Sequence, residues 1–206
     1  MAYRKVDEAS LTAVADSIRE KGGTTGALAF PDGFVSAVQA IQAGGGETDS
    51  SLKDVIERTA VNPTLPSDLT KIGDYAFYNC RNMNLTSLPD GVTSIGIKAF
   101  YNCWSMVLTS LPGGLTNILK DAFGGCSALA LTSIPDGVTS IGEYAFGYCT
   151  GLSTITFEGT PSSINYSIFY GCTNLTTINV PWAEGAVGNA PWGAKNATIN
   201  YNYTGA

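Results

Sequence analysis

The cysteines of this chain fall on a fixed step. They stand at Cys80, Cys103, Cys126, Cys149 and Cys172, each 23 residues after the last, and the sequence holds no others. Phe77, Phe100, Phe123, Phe146 and Phe169 keep the same step, as do Ile72, Ile95, Ile118, Ile141 and Ile164, and Pro66, Pro89, Pro112 and Pro135. A period in the twenties, held without slippage, restricts the chain to stacked repeats. One repeat has too few apolar residues to fold alone, and a pile of them makes a continuous core. The predicted fold class is a β-rich solenoid.

Each repeat reads L-P-x-x-[LV]-T-x-I-G-x-x-A-F-x-x-C-x-x-[ML]. Leu88-Pro89 is expected to end one short strand, because Pro has no N–H to give to a ladder. Asp90-Gly91 supplies a turn. Val92 to Ile95 gives a second strand, which Gly96 breaks. Ala99, Phe100 and Cys103 predict a single helical turn that points Phe and Cys inward. Met106, Leu108 and Leu111 are expected to begin the next strand. The phenylalanines and cysteines thus form the structural core ladder. Five cysteines cannot all pair within one chain, and stacked parallel Cβ directions do not suit a disulfide. They are expected to be buried free thiols acting as small hydrophobes. A ladder does not converge on one point, so no metal site is expected.

The sequence divides into four parts. Residues 1–46 predict a small α-helical attachment or oligomerisation module. Ser10 caps a helix carrying Leu11, Val14, Ala15 and Ile18, and Pro31 opens a second with Phe34, Val35, Val38 and Ile41. Residues 47–64 predict the N-terminal cap of the solenoid, with a short helix from Ser51. Residues 65–181 hold five repeats. Residues 182–206, with Trp182, Trp192 and the alternating Thr198 to Tyr203, predict a C-terminal cap with a closing strand.

Bulk composition removes several function classes. Hydrophobic content of 44% and charged content of 14% do not suit a disordered chain. The net charge of −6 and scattered basic residues argue against nucleic-acid or anionic-membrane partners. No stretch approaches the roughly 18 apolar residues of a membrane span, so no membrane insertion is expected. Met1 to Ser10 lacks an apolar h-region, which predicts folding in the cytosol. With no His, Ser-His-Asp and Cys-His arrangements and His-containing zinc sites are excluded. Asp121 and Glu143 lie one position off register in adjacent repeats, close enough to suggest a glycosidase pair, but they read as a solvated edge. The chain is therefore expected to be no enzyme and to need no cofactor. A carbohydrate-active enzyme is retained as a third reading.

Binding chemistry is sought in the slots that vary. The residue after each ladder Phe is Tyr78, Tyr101, Gly124, Gly147 or Tyr170, and the next is Asn79, Asn102, Gly125, Tyr148 or Gly171. The residue after each Cys is Arg81, Trp104, Ser127, Thr150 or Thr173. These slots are expected to face solvent. Tyr, Trp, Arg and Asn on a rigid scaffold are binding-patch residues. The candidate ligand-binding set is Tyr78, Asn79, Arg81, Tyr101, Asn102, Trp104, Tyr148 and Tyr170.

The repeat, with its A-F-x-x-C core, resembles the BspA-like (Treponema-type) leucine-rich repeats. The tail Ala190 to Tyr201 is similar to the usual ending of such chains. That family is known mainly as bacterial surface proteins and adhesins, which implies a cell-surface adhesin. A second resemblance points elsewhere. Residues 9–18, A-S-L-T-A-V-A-D-S-I, and 30–41, F-P-D-G-F-V-S-A-V-Q-A-I, resemble N-terminal segments of tail-associated proteins in phages and prophages of Gram-positive bacteria. That likeness implies a receptor-binding virion protein assembled in the bacterial cytoplasm. Residues 1–46 would then join other tail subunits or a homo-oligomer such as a trimer. The expected partner is a host-cell surface protein or glycan.

Overall fold

The computed structural model describes residues 65 and 67–205. The predicted helical module, the N-terminal cap with its helix, and Pro66 lie outside the described residues. From there on the chain winds as a solenoid built on two parallel sheets. The first joins β1 (Lys71–Ile72), β2 (Ser94–Ile95), β3 (Asn117–Ile118), β5 (Ser140–Ile141) and β7 (Ser163–Ile164). The second joins β4 (Ser133–Ile134), β6 (Thr154–Phe157), β8 (Thr177–Asn179) and β9 (Thr198–Asn200). Register is fixed by the repeat: Ile72 pairs with Ile95, Ile95 with Ile118, Ile118 with Ile141 and Ile141 with Ile164. A one-residue slip would turn every Ile outward.

The second sheet differs from the sequence expectation. No strand forms at 83–88 or 106–111. In those repeats the buried positions are Met83, Leu85 and Leu88, or Met106, Leu108 and Leu111. Leu85 and Leu88 are three residues apart, like Leu108 and Leu111, and so are Leu131 and Ile134 of the third repeat, where only the two-residue β4 forms. In β6 the buried residues are Ile155 and Phe157, two apart, and the alternation holds over the whole element. Pro89, Pro112 and Pro135 also lack the N–H that Glu158 uses at the same slot to bond Ile134 O at 3.0 Å.

The A-F-x-x-C segment is not a helical turn, and no helix occurs among the described residues. It is a run of β-turns. In the first repeat the N–H groups of Ala76, Tyr78 and Cys80 bond back to the oxygens of Gly73, Tyr75 and Phe77. The alternate N–H groups of Tyr75, Phe77 and Asn79 reach forward to Ile97, Ala99 and Tyr101 of the next rung, at 2.7–2.8 Å. Left-handed backbone at Tyr75 and Asn79 (φ 57° and 61°), repeated at Lys98 and Asn102, prevents continuous helix. Every second amide thus ties neighbouring rungs together, and the segment becomes a third ladder down the solenoid.

The core runs through all rungs. The five ladder phenylalanines are buried, and successive rings stack at centroid distances of 5.2, 5.4, 5.4 and 5.7 Å. All five cysteines are free and buried. They do more than fill space: the thiols of Cys103, Cys126, Cys149 and Cys172 each donate to the ladder Phe oxygen of the preceding rung at 3.0 Å. In the cap, Trp192 O accepts from Phe169 N–H at 2.9 Å, where Ala99 O serves Phe77. Trp182 and Trp192 are buried against Phe157. β9 pairs in parallel with β8, so the last turn imitates a rung in both places.

Candidate recognition surface

The β-turn ladder forms one lip of the solenoid, and it carries the variable side chains. The second slot after each ladder Phe has left-handed backbone whatever occupies it: Asn79 61°, Asn102 58°, Gly125 75°, Tyr148 58° and Gly171 75°. Asn and Gly accept this conformation readily, and Tyr does not. Glycine at 125 and 171 therefore answers a second demand, close approach. A Cβ at Gly125 would lie 2.3 Å from Asn102 Oδ1, and one at Gly171 would lie 2.5 Å from the Tyr148 ring. Side chains of one rung lean over the glycine of the next.

The eight candidate residues fall into two patches. Six lie on the first two rungs. Tyr78 and Tyr101 stack at 5.4 Å, and Asn102 Nδ2 donates to Asn79 Oδ1 at 3.0 Å. These four are half-buried, so the expectation that their slots face solvent is met only in part. Arg81 and Trp104 are exposed, with the guanidinium carbon 4.3 Å from the indole centroid. Lys98 Nζ lies 5.2 Å from the Tyr101 centroid, and Tyr75 meets Tyr78 edge-on at 5.7 Å.

Tyr148 and Tyr170 belong to the second patch, on the fourth and fifth rungs. They meet edge-on at 5.5 Å, and Tyr144 meets Tyr170 edge-on at 5.6 Å. Desolvation first, then Tyr166, Glu143, Tyr170 and Tyr148 in turn, push the Tyr144 hydroxyl above its usual range. Gly124 and Gly125 separate the two patches. Tyr75, Tyr144 and Tyr166 were not in the candidate set. Their signal lay in the two columns ahead of the repeat's Ala, where other rungs place Asp, Lys, Ile and Glu.

Glu143 is ion-paired with Lys120. The Asp121 carboxyl is pushed up by partial burial and, to a lesser degree, by the Glu143 carboxylate, against the pull of Lys98 and Lys120. Burial holds the thiols of Cys103, Cys126 and Cys149 well above the ordinary value and pushes Cys172 up to about 12. A nucleophilic cysteine needs the opposite shift. Among the described residues no group of Cys, Asp and Glu gathers to hold a metal ion. No helix there is long and apolar enough to cross a membrane.

Parallel rungs with an inward Phe–Cys ladder and an aromatic lip define a leucine-rich-repeat solenoid, an architecture typical of binding proteins. The BspA type leucine rich repeat region matches residues 59–176 in six copies, and the chain belongs to that family. Among solved structures, the chain is similar to a leucine-rich repeat protein of T. pallidum, with 26% identity, 70% of each chain covered and a TM-score of 0.54. It is also similar to a leucine-rich repeat protein of Bacteroides ovatus, with 31% identity, 59% of this chain covered and a TM-score of 0.47. A leucine rich cell surface protein of Faecalibacterium prausnitzii shows 28% identity over 58% of this chain, with a TM-score of 0.43. The chain spans 32% of the Bacteroides protein and 38% of the Faecalibacterium one. No curated protein matches the chain.

Proposed function

We propose that this chain is a non-enzymatic adhesin of the bacterial cell surface, whose lip contacts a protein or glycan on another cell. One observation carries the reading. Among the described residues the exposed large hydrophobic side chains are Tyr75, Trp104, Val107, Tyr148, Tyr166 and Tyr170. All but Val107 lie on or beside the turn ladder. Exposed rings gathered on one face of a rigid scaffold suit contact with a partner. Membership of the BspA-type family supports the surface location. The test is cell binding by the purified chain, compared with Tyr101→Ala/Trp104→Ala and Tyr148→Asn/Tyr170→Ala. Loss of binding in either double variant supports the reading. A chain that binds no cells, or whose two double variants bind as well as the parent, refutes it.

A second reading, a phage or prophage tail protein that binds a host receptor, is favoured by residues 9–18 and 30–41. In that reading residues 1–46 attach to tail subunits or form a trimer. Immunogold labelling separates the two, with the cell envelope marked in the first and tail tips in the second. Light scattering on the full chain and on one starting at Asp49 tests assembly through residues 1–46, which predicts a smaller particle for the shorter chain.

A further inference from the structure

The two patches on the lip are built differently. In the first, Tyr78 and Tyr101 lie on each other at 10°, and Arg81 lies over Trp104, which is still 45% exposed. In the second, the rings meet at 88° and 78°, edge to face, so stacking does not cover them. Tyr148 is 57% exposed, Tyr166 61% and Tyr170 39%.

Folding does not account for Tyr148. Its slot demands left-handed backbone, which rungs one, two, three and five fill with Asn or Gly. A tyrosine there strains the backbone and leaves more than half of itself in water. Tyr144 also has left-handed backbone, at φ 52°, but so do Tyr75, Lys98 and Asp121 in its column, and it is half-buried, so Tyr148 alone is out of keeping with its slot. Strain retained without burial points to a role outside the fold.

The chemistry around the rings is neutral. Residues 144–151 and 165–174 contain no Asp, Glu, Lys or Arg, and Glu143 beside them is bound to Lys120. What they offer is ring faces, phenol hydroxyls and the hydroxyls of Thr150 and Thr173, with Asn165 Oδ1 already accepting from Ser167 and Asn174 Nδ2 donating to Thr150 O. Within these stretches a charged ligand finds no counter-charge, and the charge beside them is the mutually paired Glu143 and Lys120. Tyrosine also anchors protein interfaces, but the Arg and Trp that accompany it there sit on the other patch. A pyranose ring matches this surface: its C–H face packs on an aromatic face, and its hydroxyls bond phenols and amides. Resting on the proposed recognition role, we infer that Tyr144, Tyr148, Tyr166 and Tyr170 form a site for a neutral glycan.

The test uses the full chain on an array of neutral, sialylated and sulfated oligosaccharides, with Tyr148→Asn, Tyr166→Ser and Asp136→Ser. Asp136 lies on the Pro-Asp-Gly corner, which both sheets separate from the lip. Tyr148→Asn restores the residue that rungs one and two carry, so its melting midpoint should stay within about 3 °C of the parent. Neutral glycans should be retained at least about tenfold more weakly by Tyr148→Asn and Tyr166→Ser, and unchanged by Asp136→Ser; that factor is about 1.4 kcal/mol. Retention of acidic glycans alone, no retention at all, or equal retention by both tyrosine variants overturns the inference. Periodate treatment of target cells separates this failure from that of the broader reading. Cell binding that survives the oxidation leaves an adhesin whose ligand is a protein, whereas absent cell binding removes both.

Discussion

Phe123 is the middle ring of the ladder, and truncating it probes the stacked core. It is fully buried between Phe100 and Phe146, each 5.4 Å away and within 10° of parallel. Phe123→Ala removes a ring from a site that cannot collapse, because both neighbouring rungs are held by backbone ladders. Such truncations cost about 3–5 kcal/mol. Against a total stability of about 5–15 kcal/mol, that is a large fraction. For a domain of this size it lowers the melting midpoint by roughly 6–20 °C. Each rung touches only its neighbours, so a weak middle rung should also split the transition. Urea denaturation followed by far-ultraviolet dichroism and by tryptophan emission measures both effects. In a Trp104→Phe background only Trp182 and Trp192, both in the C-terminal cap, emit. The variant should show separated dichroism and emission midpoints where the parent shows one. Lys120→Ala, which removes an exposed ion pair, should leave the midpoint close to the parent's. A Phe123→Ala protein that unfolds with the parent's midpoint would refute the stacked-core account.

The cysteines give two further predictions. In the native chain a water-soluble disulfide reagent should label the thiols far more slowly than in urea, where all five should react; fast native labelling would contradict their burial. Stability should also fall at alkaline pH. Below about pH 8.5 both states keep their thiol protons, and the thiols contribute no pH dependence. Above it the unfolded chain releases them while Cys103, Cys126, Cys149 and Cys172 hold theirs by burial, so stability declines as pH rises toward the folded values. Each such thiol steepens the slope by about 1.4 kcal/mol per pH unit. Cys126→Ala should remove one share, and an unchanged slope would count against the argument.

Much of the fold is legible in the spacing of Phe, Cys and Ile, because one rung's neighbours are copies of itself. What spacing alone hides is how a local segment stacks. Ala99, Phe100 and Cys103 sit at positions a helical turn would also satisfy. Forward amide bonds from one rung to the next decide for β-turns, and no single repeat can reveal them. The extent of the second sheet was only partly legible: Ile155 and Phe157 alternate over the four-residue β6, but Leu131 stands five after its Cys, as Leu85 does, and its repeat alone of the two contributes a strand, the short β4. At the lip, the columns after Phe and Cys disclosed eight residues. They did not disclose that six of these form one patch, in which Tyr78 stacks on Tyr101 and Arg81 lies over Trp104. Tyr75, Tyr144 and Tyr166 escaped because their columns are mostly charged elsewhere and look like a solvated edge.

Recognition by the lip is tested most directly by hydroxyl-radical footprinting of the full chain, free and bound to target cells. Protection should concentrate on Tyr148, Tyr166 and Tyr170, with Tyr203 beyond β9 oxidised equally in both samples. Equal oxidation of the lip tyrosines in both samples, with protection appearing elsewhere on the solenoid, would contradict the account.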